Sequence, residues 1–111
     1  MPGFTIDAPE GAPPAAKQKM MREISEALND AYHIHDVRGW LREYSGDNFS
    51  QDGRIGAEPM RPVCSLEAPE LVDMDAKRTL RQKIKSAIAD AYQGIANTDE
   101  VVVLINTPDN G

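Results

Sequence analysis

Apolar and polar residues alternate along the chain in a pattern that predicts two similar strand–helix–strand units. In the first unit, Phe4, Ile6 and Ala8 alternate with small or polar neighbours, which is the period of a half-buried strand. A proline pair then opens a helical segment, since proline is tolerated in the first turn. Its apolar face is predicted to comprise Ala16, Met20, Ile24, Ala27, Leu28 and Ala31. A second strand is predicted from Val37 to Tyr44.

The second unit repeats the first. Aligning Pro2 with Pro62 superimposes identical residues along the strand and the helix, including the Asp-Ala-Tyr at 30–32 and 90–92. Asp73 is the expected N-cap of the second helix, and Gly94 suits its end. The last strand is predicted from Glu100 to Asn106. Its Val-Val-Val-Leu-Ile run is typical of a strand covered on both faces. We interpret this pattern as a duplicated unit.

Two such units predict an α+β fold with one four-stranded mixed sheet and both helices packed on one face. We expect a single domain over residues 1–111, with repeat one at about 2–46, a linker hairpin at about 47–60 and repeat two at about 61–108. The other face of the sheet would carry apolar residues without a covering layer. This arrangement predicts a homo-oligomer with apposed sheets.

Composition and charge exclude several classes of protein. The 111 residues carry a net charge of −6, which disfavours nucleic acid as a partner. One cysteine, Cys64, excludes an internal disulfide, and its alignment with Phe4 places it in the core. His33 and His35 are too few to indicate a metal site, so no metal is expected. No apolar run is long enough to span a membrane, and no signal peptide is visible, so a cytoplasmic location is expected.

Three local features stand beside the repeat. Pro2 follows the initiator methionine, Lys17 follows a Glu-Gly pair ahead of an amphipathic helix, and Arg38 is followed five and eleven residues later by Glu43 and Phe49. Together these features resemble the tautomerase superfamily. The spacing is similar to that of 4-oxalocrotonate tautomerase, and the length is similar to that of the fused, trimeric members. The resemblance implies a cofactor-free enzyme that moves a proton in an enol or keto carboxylic acid. It also implies a homotrimer or a multiple of three.

The resemblance assigns the catalytic role to Pro2. Once the methionine is removed, Pro2 becomes a secondary amine whose ring fixes φ and therefore aims the nitrogen. An apolar setting lowers the pKa of such an amine toward neutrality, so the nitrogen can act as a general base. The alternative is that Pro2 only opens a strand, as its internal counterpart Pro62 does.

The remaining candidate residues would bind the substrate. Arg38 can hold a carboxylate in a bidentate pair, and its counterpart in the second half, taken as Val101, is apolar. Phe49 would form an apolar wall of the pocket. Trp40 and Tyr44 share strand parity with Arg38 and Arg42, so they would line the same pocket or lie in a subunit interface, and Arg42 would be a second cation. For both arginines, a surface ion pair is the alternative.

Departures from the family pattern leave other functions open. Ala12 follows the Glu-Gly pair where the family carries an arginine, and the acidic segment 69–75 lacks the paired arginines of the dehalogenases. Hydrolytic dehalogenation is therefore disfavoured. A proline-dependent decarboxylase or hydratase, a non-catalytic oligomeric binding or regulatory protein, and a ferredoxin-like interaction module remain alternatives.

Overall fold

The two halves of the chain form two strand–helix–strand units. A computed structural model describes residues 3–107. The first unit consists of β1 (Gly3–Pro9), α1 (Pro14–Tyr32) and β2 (Arg38–Tyr44). Between the units, β3 (Ser50–Gln51) and β4 (Arg54–Ile55) form a small hairpin. The second unit consists of β5 (Val63–Glu67), α2 (Met74–Tyr92) and β6 (Val102–Asn106).

A single four-stranded sheet joins the units in the order β2-β1-β5-β6. The strands within each unit are parallel, and the two units meet through the antiparallel pair β1 and β5. Alternate residues of β1, namely Phe4, Ile6 and Ala8, are buried in one core with the apolar stripes of both helices. The predicted α+β architecture, with a mixed sheet and two helices, is thus confirmed.

The apolar periodicity of the helices correctly predicted most of the core. The buried helix residues are Met20, Ile24, Ala27 and Leu28 in α1 and Leu80, Ile84, Ala87, Ile88, Ala91 and Tyr92 in α2. Cys64 is fully buried, as its alignment with Phe4 predicted. Burial, with a further contribution from the charge of Asp7, raises the pKa of its thiol to about 12. Cys64 is therefore a packing residue without thiolate reactivity at neutral pH.

A capping side chain and residues with positive φ mark the ends of the helices. The Asp73 side chain accepts hydrogen bonds from the backbone N–H groups of Asp75 and Ala76, so the predicted N-cap of α2 is confirmed. Gly94 has a φ of 79° just beyond the end of this helix, as expected of a glycine there. The last residue of the first helix is Tyr32. The next residue, His33, caps the helix in the left-handed conformation, although it is not a glycine.

The second strands required two corrections. The last strand begins at Val102, not at Glu100, because residues 98–100 form a 3₁₀ turn capped by the Asn97 side chain. Since Gly3 pairs with Arg38 and Val63 pairs with Val102, the counterpart of Arg38 is Val102, not Val101.

The expectation that the last strand is covered on both faces is also wrong for a single chain. Val103 is buried against the helices, whereas Leu104, which points to the other face, is 48% exposed. Leu104 is apolar, but the described part of the chain leaves about half of its side chain uncovered.

Gly39 on β2 permits the close approach of the Phe4 ring. A Cβ atom at this position would lie 2.3 Å from Cζ of Phe4, much closer than packed atoms tolerate. We expect Gly39→Ala to lower the free energy of unfolding by about 1–3 kcal/mol, because the ring is buried and cannot move without disturbing the core. Urea unfolding tests this, with Gly46→Ala as the matched control because its Cβ would meet nothing within 4 Å. Equal stability of the two variants would contradict the packing argument.

Candidate functional site

The sheet face opposite the helices is open in the single chain. Because side chains alternate along each strand, the register places one set of residues together on this face. Two large apolar side chains on it are exposed, Trp40 by 56% and Leu104 by 48%. The open face consists of Gly3, Thr5, Asp7, Pro9, Arg38, Trp40, Arg42, Tyr44, Val63, Ser65, Glu67, Val102, Leu104 and Asn106. Apolar area of this kind marks an interaction surface.

Arg38 lies beside the start of β1. Pro2 itself lies outside the described residues. Gly3, the next residue of the chain, is paired with Arg38 on one side and with Glu67 on the other. The Arg38 side chain is exposed and has neither an ion pair nor a side-chain hydrogen bond to any residue between 3 and 107. Its guanidinium group can therefore donate two hydrogen bonds to the carboxylate of a ligand.

Phe49 and Tyr44 lie at the opposite end of the sheet. Tyr44 pairs with Pro9, the last residue of β1. Both aromatic residues line an open cavity of about 320 Å³, together with Met60 and Ile95. The rise of about 3.3 Å per residue separates the ends of β1 by about 20 Å. The structure therefore does not bring Phe49 and Arg38 together within one chain.

Arg42 is held by a carboxylate of the same chain. Its Nε donates to Oδ1 of Asp7 at 2.8 Å and its Nη2 donates to Oδ2 at 3.0 Å, while the Tyr44 hydroxyl donates to Oδ1 at 2.7 Å. Of the two arginines predicted for the site, Arg42 is thus already engaged. Asp7 was not identified from the sequence as a partner of Arg42. If β1 and β2 are aligned as parallel neighbours, Asp7 lies directly opposite Arg42, and this opposition of charges is the signal that could have revealed the pair.

The cluster of Asp7, Arg42 and Tyr44 determines how Asp7 titrates. Burial alone would raise the pKa of Asp7, but the hydrogen bonds from Arg42 and Tyr44 and the positive charge of Arg42 together lower it. A lowered folded-state pKa means that the carboxylate stabilises the fold above the unfolded-state value of ~3.9. This stability is lost as the pH falls through the folded-state pKa.

We expect Asp7→Asn to lower the free energy of unfolding by about 1 kcal/mol at neutral pH, since Arg42 is largely exposed to solvent. The difference from the wild type should shrink as the pH falls below the unfolded-state value and disappear once the wild-type carboxyl is also protonated. Denaturant unfolding across this range checks the result. A difference that stays constant down to acid pH would show that the charge of Asp7 does not matter.

Among residues 3–107, no group of three or more His, Cys, Asp and Glu side chains is placed to hold a metal ion. His33 and His35 are both exposed at the end of α1. Neither α1 nor α2, the helices of the described range, is long and apolar enough to cross a membrane.

Solved structures share this fold over nearly the whole chain. A wild-type fused 4-OT described as an asymmetric trimer is similar with a TM-score of 0.80 and 20% identity, over 97% of this chain and 87% of its own. Pt0534, in a structure inactivated by 2-oxo-3-pentynoate, is similar with a TM-score of 0.77 and 20% identity, over 96% of this chain and 85% of its own. Malonate semialdehyde decarboxylase is similar with a TM-score of 0.68 and 15% identity, over 96% of this chain and 84% of its own. No model of a known protein family and no curated protein sequence matches the chain. The predicted tautomerase-like fold is confirmed.

Proposed function

We propose that this chain is a member of the tautomerase superfamily that moves a proton in an enol or keto carboxylic acid without a cofactor. Pro2 is the general base, and Arg38 binds the substrate carboxylate. The observation that carries the proposal is the pairing of Gly3 with Arg38, which sets the backbone of an arginine with an exposed side chain beside the residue that follows Pro2. The fold shared with a fused 4-OT supports it.

The proposed chemistry follows from these two groups. In an enol acid, the neutral nitrogen of Pro2 takes the hydroxyl proton and returns a proton to a carbon atom of the conjugated chain, so that the enol becomes a ketone. Arg38 pairs with the carboxylate and stabilises the negative charge that develops on the enolate. Both ends of the reaction are proton transfers, so atoms and charge balance without a further reactant.

A trimer, or a multiple of three, would complete the site. Phe49 lies at the far end of the sheet from Arg38, so the apolar wall beside Pro2 would have to come from a second copy. A second copy would also cover Trp40 and Leu104 on the open face. The fused 4-OT neighbour described as a trimer supports this assembly.

We expect Trp40→Asp to shift the protein from trimer to monomer, since it would place a charge in the apolar part of the proposed interface. Light scattering after size exclusion measures the change. Val72→Asp is the matched control, because Val72 is 93% exposed but lies outside the open face, just ahead of α2. A trimer that survives Trp40→Asp would contradict the proposed interface.

The proposed base can be tested with 2-oxo-3-pentynoate, the compound that inactivates the neighbour Pt0534. A neutral Pro2 nitrogen should form a bond to the alkyne carbon remote from the ketone. One π bond breaks, and the amine proton passes to the adjacent carbon, so the adduct keeps the whole mass of the reagent. We expect one adduct per chain on the N-terminal peptide. Labelling only at lysines, or an N-terminal peptide that retains Met1, would contradict the assignment.

A second candidate function is non-catalytic carboxylate binding on the same fold. It is favoured by the internal pairing of Arg42 with Asp7 and by the absence of arginine from segment 69–75, which leave few cations for a dicarboxylate. Binding without turnover of any enol acid would support it. Release of carbon dioxide or addition of water would instead identify the decarboxylase or hydratase variant, which the malonate semialdehyde decarboxylase neighbour makes worth assaying.

A further inference from the structure

The duplicated fold has two equivalent corners, each where a helix begins beside the end of a second strand. In the first corner, Nζ of Lys17 lies 2.9 Å from Oε1 of Glu43, and the two side chains are only 28% and 24% exposed. Tyr92 is buried nearby, and burial together with the charge of Glu43 raises the pKa of its hydroxyl to about 12. In this corner, a lysine is therefore paired with a carboxylate of the same chain.

The second corner has the same lysine but no such carboxylate. Lys77 aligns with Lys17 in the repeat. Glu43 is paired with Ala8, and the repeat places Ala68 at the position of Ala8, where its N–H donates to the carbonyl of Asn106. The residue equivalent to Glu43 is therefore Thr107, which carries no charge.

A cavity of about 200 Å³ occupies this second corner. Lys77 has no ion pair with any side chain in the range 3–107, although Glu70 also lines the cavity. The Tyr32 hydroxyl is fixed by donation to the carbonyl of Pro69 at 2.8 Å. The lining residues are Tyr32, Glu70, Leu71, Lys77, Ile105 and Thr107.

We propose that this cavity binds a small aliphatic carboxylic acid, with the ammonium group of Lys77 holding the ligand carboxylate where Glu43 lies in the other corner. Leu71 and Ile105 contact the aliphatic part of the ligand. The first corner serves as an internal template, because it shows a carboxylate and a lysine paired in the same fold position.

This site is separate from the proposed catalytic site. Its strand β6 and the Arg38 strand β2 are the two edges of the sheet, about 14 Å apart at three strand spacings. Arg38 also faces the open side, whereas Lys77 lies on a helix of the other side. The inference therefore does not depend on Pro2 chemistry, and its test needs no enzymatic activity.

Titration with sodium butyrate, followed by amide chemical shifts, tests the proposal. We expect saturable shifts centred on Leu71, Lys77 and Thr107, and no comparable shifts with butanol at the same concentrations. Lys77→Met should weaken butyrate binding about tenfold or more, because a charge-assisted hydrogen bond is lost while the aliphatic stem is kept. Lys17→Met is the matched control and should bind butyrate as the wild type does.

Two further variants keep the test decisive. Thr107→Glu rebuilds the carboxylate of the first corner, so it should weaken butyrate binding about tenfold while the spectrum remains that of a folded protein. Glu70→Gln removes the opposing charge from the lining and should strengthen binding. Butyrate shifts that do not saturate, that centre elsewhere, or that are equal in wild type, Lys77→Met and Thr107→Glu would overturn the proposal.

Discussion

Replacing Pro2 with alanine is expected to lower kcat/KM for ketonisation of 2-hydroxymuconate by about 10²–10⁴-fold, the usual contribution of a positioned general base. The substitution keeps an amine at the terminus but removes the ring that fixes its direction. The structural basis is the pairing of Gly3 with Arg38, which would set this amine beside the carboxylate-binding group. Absorbance assays with 2-hydroxymuconate and phenylenolpyruvate measure the effect.

Pro62→Ala is the control for this prediction. Pro62 aligns with Pro2 in the repeat, but it is internal and fully buried, so its substitution leaves the terminal amine unchanged. Circular dichroism should show that both variants are folded. Full activity of folded Pro2→Ala on both enol acids would remove proline from the mechanism.

Arg38→Gln should have the second largest effect, a loss of about 10–10²-fold in kcat/KM. The glutamine can still donate one hydrogen bond, but it cannot supply the charge or the bidentate geometry that a carboxylate prefers. If Arg38 binds the carboxylate equally in the ground state and the transition state, the loss falls on KM. If it stabilises the enolate, the loss falls on kcat as well.

Arg78→Gln provides the charge-matched control for Arg38→Gln. Arg78 is exposed on α2, far from the open face, and among residues 3–107 its ion pair is with Asp75, one helical turn away. Equal activity of the two glutamine variants would mean that Arg38 contributes only to the net charge.

Periodicity and repetition correctly predicted the elements that the core dictates. The apolar stripes of both helices, the alternation in β1 and the burial of Cys64 follow from local spacing, and each is seen in the structure. The N-cap at Asp73 could also be predicted, because a capping side chain acts on the next two or three residues.

The second strands were harder to place because the two halves do not repeat with one offset. The first strands align Gly3 with Val63, whereas the register of the second strands aligns Arg38 with Val102. The connection from helix to second strand is therefore longer in the second half than in the first. An alignment without gaps then pairs the wrong residues of the second strands. The β-branched run also conceals that its first residue follows a 3₁₀ turn capped by Asn97.

The candidate site depends on contacts that cross strands or chains. Asp7 and Arg42 are far apart in sequence, and only the parallel register of β1 and β2 brings them into an ion pair. Phe49 lies in a connection that no periodicity positions, and it contributes to a cavity at the far end of the sheet from Arg38. Whether it reaches Pro2 depends on the assembly of several chains, and local sequence patterns do not encode that geometry.

Titration of the Pro2 nitrogen is the most direct test of its proposed role as the general base. Selective ¹⁵N labelling of proline allows this nitrogen to be titrated by NMR, beside a synthetic peptide with the same first residues. If Pro2 is the general base, we expect the nitrogen to lose its proton at a lower pH in the folded protein than in the peptide, so that a neutral base is present near neutrality. Coincident titration curves, or a Pro2 nitrogen that does not titrate because Met1 is retained, would contradict it.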